Sequence, residues 1–197
     1  MTGVRLLAAM LAAIHAQHSA HYVTTTVSGV TRVVIAGDVA TTRGMQAITF
    51  TQSGRTGHVS VRVVDETAYF RGDAFSLQAF MGVPAANAPR YAGQWVRVPK
   101  SATQYASIAA GATLPSFAAS LGINGTVTKV EGGLTITTNT GSVKLFLKPN
   151  HLPTRETGKG SGGTLAMTIG RWNEPVRVPA PAETVPVRIV YRAPPGA

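Results

Sequence analysis

The stretch that decides the fold runs from Tyr22 to Val64: YVTTTVSGVTRVVIAGDVATTRGMQAITFTQSGRTGHVSVRVV. Four segments rich in Val, Ile and Thr lie within it, Tyr22–Val27, Thr31–Gly37, Gln46–Thr51 and His58–Val64, separated by Ser28-Gly29, Arg43-Gly44 and the five residues from Ser53 to Gly57. Short β-rich segments at this spacing, with glycine between them, predict an antiparallel meander. The period is two. Val59, Val61 and Val63 point one way, and His58, Ser60 and Arg62 the other. One face of the sheet is thereby apolar and the other solvated.

Outward from this core, Asp65-Glu66 turns the chain into a further strand, Ala68–Arg71. On the other side, Leu7, Leu11, Ile14 and His18 follow at i, i+4, i+7 and i+11, one face of a helix, with alanines between them. A signal peptide is the rival reading of this segment. The bulky Ile14 is a poor residue for a cleavage site, so a structural helix is preferred.

The rhythm breaks in the middle of the chain. Ala74–Met81 reads as a short helix capped by Asp73, and Trp95–Val98 as a short strand. Ser101–Ala110 and Pro115–Leu121 read as two helical pieces. Strands then return over Gly125–Glu131, Leu134–Thr138 and Ser142–Lys148. A hairpin of Leu152–Thr157 and Thr164–Ile169 follows, its loop spanning Gly158–Gly163. Six of the twelve prolines fall after Glu174. That density precludes a central strand and predicts an extended edge segment with a loose tail. The expected organisation is one domain over residues 1–187 and a proline-rich tail over 188–197.

Only 13% of the residues are charged, about half the usual share, yet Lys and Arg outnumber Asp and Glu by 18 to 8, for a net charge of +10. A hydrophobic content of 44% excludes intrinsic disorder. The lack of cysteine excludes disulfide scaffolds and thiolate chemistry. The longest apolar run, Leu6–Ile14, is far short of the ~20 residues of a membrane-spanning helix.

No motif carries catalysis. The Gly158–Thr164 loop lacks the P-loop order, because Lys159 comes too early and a strand follows. There is no nucleophile elbow, and the acids are scattered. His15, His18 and His21 drift around a helix with no acid nearby in sequence, so a polar helix end outweighs a metal site. The basic residues are dispersed and few aromatics accompany them. This argues against nucleic acid and leaves an anionic membrane surface as a partner.

Several strings appear in order: Gly37-Asp38-Val39 before Gln46-Ala47-Ile48-Thr49, then residues 68–73 (AYFRGD), residues 91–96 (YAGQWV) and residues 172–176 (WNEPV). With the order helix, meander, helices, meander and proline-rich strand, the chain resembles the actinobacterial envelope lipoproteins of the LppX/LprG type, whose fold is like that of the carrier LolA. The resemblance covers residues 4–187. It implies an α+β fold, a half-open antiparallel β-barrel whose concave face is covered by helices. It further implies a hydrophobic cavity that binds the acyl chains of lipids or glycolipids for transfer or presentation in the extracytoplasmic cell envelope, without catalysis or cofactor, by a monomer. Those lipoproteins carry a signal peptide and an acylated cysteine, and this sequence shows neither.

The candidate cavity residues on the strands are Val33, Ile35, Ile48, Phe50, Val59, Val61, Val63, Leu145, Leu147, Met167 and Ile169. From the helices, Leu7, Leu11, Ile14, Phe75, Phe80, Leu114, Phe117 and Leu121 face them. Ordinary core packing is the competing explanation of each. The matching alternative for function is an interaction domain of the envelope with a collapsed cavity, binding a protein or an anionic polymer.

Overall fold

The structure, a computed structural model, describes residues 1–121 and 124–191. Five strands form the first meander: β1 (Ser19–Ser28), β2 (Thr31–Ala40), β3 (Arg43–Gln52), β4 (Arg55–Val64) and β5 (Thr67–Gly72). Helices α2 (Ala74–Ala79) and α3 (Ala88–Tyr91) follow, then β6 (Val96–Pro99), α4 (Tyr105–Ile108) and α5 (Leu114–Ser120). The second meander is β7 (Thr126–Val130), β8 (Gly133–Thr137), β9 (Gly141–Leu147), β10 (Pro153–Gly160) and β11 (Gly163–Gly170). Helix α1 (Gly3–His15) precedes the sheet. The short β12 (Val185–Pro186) and α6 (Val187–Val190) close the described chain.

All twelve strands join one curved, unclosed sheet in the order β12-β6-β5-β4-β3-β2-β1-β11-β10-β9-β8-β7. Every pairing is antiparallel except the two-residue β12–β6 pairing. The two meanders meet at β1–β11, where Tyr22 lies opposite Ile169. The alternation read from Val59, Val61 and Val63 holds. All three are buried on the helix-covered concave face, while His58 is exposed and Arg62 half-buried on the convex face.

Two apolar cores lie on the concave face. One joins β3–β6 to α2, α3, α4 and α6 through Val61, Phe70, Leu77, Ile108 and Val190. The other joins α1 and α5 to the second meander through Met10, Ile14, Phe117, Leu134, Leu145 and Met167. Tyr22 stands at their boundary, its ring stacked on Phe117 at 4.8 Å. Opposite Tyr22 in the ladder is Gly37, and a Cβ there would meet the Tyr22 ring at 2.4 Å. The glycine is therefore the seat of the ring.

Several expectations are corrected. The buried stripe of α1 is Leu6, Met10 and Ile14, at i, i+4 and i+8; Leu7 and Leu11 are half-buried at its flank, and exposed His18 lies beyond the helix. The β2–β3 turn is Thr41-Thr42, because Arg43 and Gly44 already pair with β4. The glycine-rich loop contracts to Ser161-Gly162, since Gly158, Lys159 and Gly160 continue the β10 ladder. Residues 101–104 form turns, and only Tyr105–Ile108 are helical.

Residues 188–191, which the sequence assigns to a loose tail, are folded onto the domain. Val190 is fully buried, Asn87 Nδ2 donates to its carbonyl at 2.8 Å, and the Tyr191 hydroxyl donates to the Met81 carbonyl at 2.6 Å. Proline stops the long strand but leaves room for a short helix with an apolar face. The rest of the expected tail, residues 192–197, lies outside the described residues.

Between β11 and β12 the proline-rich residues cross the convex face as a strap. Ser19 Oγ donates to the Glu174 carbonyl at 2.5 Å, and Arg62 donates to the Pro179 carbonyl at 3.0 Å.

Candidate lipid cavity

The strand period puts Ile35 of β2, Gln46 and Ile48 of β3 and Val61 of β4 side by side on the concave face, where Ile35 pairs with Ile48 and Gln46 with Val61. Across from them stand Phe80 and Met81 after α2, Gln104, Ser107, Ile108 and Ala110 around α4, and Tyr191 after α6. Between these walls is a cavity of about 310 Å³. Its helical wall is made of short elements joined by turns.

The lining is apolar with a few neutral polar groups, and no carboxylate, imidazole, ammonium or guanidinium is among it. Gln46 is 5% exposed. Its amide nitrogen donates to the Tyr22 hydroxyl at 2.6 Å and to the Ala110 carbonyl at 3.0 Å, and the Tyr22 hydroxyl donates to the Gly111 carbonyl at 3.0 Å. Burial pushes the Tyr22 hydroxyl up to about 12, and the Gln46 N–H opposes part of that shift. Burial alone does the same to Tyr191, also to about 12. Both phenols are neutral groups at ordinary pH, Tyr191 in the cavity wall and Tyr22 behind Gln46.

Four of the sequence-predicted cavity residues stand on this wall: Ile35, Ile48, Val61 and Phe80. Val33, Val59 and Val63 belong to the same apolar core beside it. Phe50 packs on Phe80 at 5.3 Å and on Phe75 at 5.7 Å, with the Arg55 guanidinium over the Phe75 ring. The other ten sit elsewhere. Leu7, Leu11, Ile14, Leu114, Phe117, Leu121, Leu145, Leu147, Met167 and Ile169 make the second core, which is packed by α1 and α5. The apolar faces of α1, 13 residues long, and α5, seven residues long, fill that half of the concave surface.

The sequence reading missed Gln46, Met81, Ile108 and Tyr191. Gln46 occupies an inward position of β3, and its period-two place beside Ile48 was a signal for it. Tyr191 had no such signal, since it follows a proline-rich stretch.

The histidines do not assemble. His15 and His18 are exposed, and His21 lies on the convex side with Nδ1 2.7 Å from Asp38 Oδ1. Arg171 holds the same carboxylate oxygen at 3.3 Å. No group of three or more His, Asp or Glu is gathered as a metal site among the described residues.

No protein-family model matches the chain, and no curated protein matches it. Among solved structures, LprF from Mycobacterium bovis aligns with a TM-score of 0.50 over 91% of this chain and 96% of its own, at 14% identity. The chain has the fold of LprF. The Mycobacterium tuberculosis lipoprotein LppX also aligns, with a TM-score of 0.44 over 89% of this chain and 99% of its own, at 15% identity. The curved, unclosed sheet with helices on its concave face is the architecture shared with LprF, and it agrees with the resemblance read from the sequence.

Proposed function

We propose that the protein is a non-catalytic carrier that binds an acyl chain of a lipid or glycolipid in the cavity between sheet and helices and moves or presents it in the extracytoplasmic cell envelope. The observation that carries this reading is the apolar cavity of about 310 Å³. It lies at the lower end of the range for small-molecule sites, about 300–1,000 Å³. At ~30 Å³ for a water-sized group, it has room for about ten such groups, the bulk of one short acyl chain. Each buried methylene contributes about 0.8 kcal/mol, so a single chain supplies useful affinity after the cost of immobilising it.

The lining supports binding over catalysis, since its polar groups are amides, a serine hydroxyl and a phenol with a strongly raised proton affinity. Among the described residues, no helix is long and apolar enough to cross a membrane.

Native mass spectrometry of gently purified protein tests the proposal. A bound species of acyl-lipid mass, displaced by added fatty acid, is the expected result. A bare protein that takes up no lipid on incubation would refute it. The second reading, an interaction domain without a guest, draws support from the packed half under α1 and α5, and the same bare spectrum would favour it.

A further inference from the structure

A second groove, of about 370 Å³, opens at the sheet edge where β12 pairs with β6. Pro99, Ala102, Pro186 and Val187 give it an apolar lining, and Arg97 and Arg188 stand on its rim. Both arginines are exposed, and neither has a carboxylate partner among the described residues. Ile189, next to Arg188, is 43% exposed.

Thr184 joins this groove to a neighbouring recess containing Trp95. The guanidinium groups of Arg62 and Arg71 lie 4.6 and 4.8 Å from the Trp95 ring centre. Of the nearby carboxylates, Glu66 is tied to Lys100, and exposed Glu183 lines the Trp95 recess and not the groove that carries Arg97 and Arg188.

We propose that this edge docks the protein on an anionic lipid bilayer. An indole, an exposed aliphatic side chain and unpaired guanidinium groups together suit the head-group layer, where apolar area and positive charge both gain. A soluble polyanion would use the arginines but leave the apolar lining without a partner. The inference goes beyond the cavity reading, because docking needs no guest inside the protein.

Co-sedimentation of the full chain with vesicles tests it, at about 0.1 M salt, where exposed charges still act over ~10 Å. The protein is expected to bind phosphatidylcholine–phosphatidylglycerol vesicles and not phosphatidylcholine alone. R97Q and R188Q should each weaken binding about fivefold, and the pair about twenty-five-fold, in line with the usual contribution of one cation near such a surface. Lys144→Gln with Lys159→Gln, on the outer face of the second meander, should change it less than about twofold.

Equal loss in the lysine pair would overturn the proposal in favour of diffuse charge. So would binding to inorganic polyphosphate without binding to vesicles. Urea denaturation of each variant confirms that it is folded. Native mass spectra of the same variants separate the outcomes, since lost docking with a retained guest leaves the cavity reading intact.

Discussion

The side-chain amide of Gln46 and the hydroxyl of Tyr22 meet at 2.6 Å on the boundary between the two cores. The contact ties β3 to β1, and its continuations to the Ala110 and Gly111 carbonyls tie both strands to the loop before α5. Gln46→Leu keeps the volume and deletes the donors. The Ala110 carbonyl then loses its side-chain partner, so a loss of about 1–3 kcal/mol is expected in urea denaturation. An unchanged midpoint would mean that water replaces the amide without cost.

Alkaline stability follows from the two buried phenols. Their folded values of about 12 stand above the ordinary 10.0, so the folded state holds protons that the unfolded state releases between those values. Their contribution is fully present below pH 10 and is lost as pH rises towards about 12. The double variant Tyr22→Phe with Tyr191→Phe should show a flatter decline of unfolding free energy across that window. A slope identical to that of the parent would show that these hydroxyls are not the source.

The two halves of the concave face should respond oppositely to core substitutions. Ile48→Phe adds volume at the cavity wall, and acyl-lipid uptake should fall with little change in thermal midpoint. Leu145→Ala hollows the packed half and should cost about 2–5 kcal/mol while uptake by the folded fraction persists. Lipid titration followed by native mass spectrometry, with melting curves of the same samples, distinguishes these outcomes.

Asp73 links acid sensitivity to the start of α2. Partial burial raises its affinity for protons, but N–H donors from His58 and Ser76 outweigh that and hold the carboxyl below its ordinary 3.8. Its stabilising effect is present above the unfolded carboxylate value and is lost as pH falls through the lower folded one. Asp73→Ala should cost about 1 kcal/mol near neutrality through loss of the cap. Asp73→Asn should retain most of the cap and lose the acid dependence. Both are measured by denaturant titrations from neutral pH downward. Gly57→Ala should disturb the same cap, because a Cβ there would meet the Ser76 Oγ at 2.1 Å.

The meanders were legible in the sequence because strands such as β3 and β4 bury one face. Alternation at Val59, Val61 and Val63 reports that directly, and the ladder of β3, β4 and β5 follows from it. The face of α1 was misread by one position because Leu6 and Leu7, and Met10 and Leu11, are adjacent apolar pairs. Either row satisfies helical spacing, and only the neighbouring β7, β8 and α5 select between them. The cavity was half legible. Its strand wall, Ile35, Ile48 and Val61, follows from the period of two. The opposite wall is assembled by tertiary contact from turns, from α4 and from Tyr191, and no local pattern encodes which turn meets which strand.

The Tyr191–Met81 bond joins residues 110 apart in sequence. During vectorial synthesis, β2, β3 and β4 leave the ribosome long before the segment that completes the cavity wall. The apolar face of the nascent first meander therefore stays incompletely covered until residues 185–191 arrive. That interval is when the chain is most exposed to mispairing with another apolar surface. Docking of α6 thus both completes the cavity wall and ends this exposure.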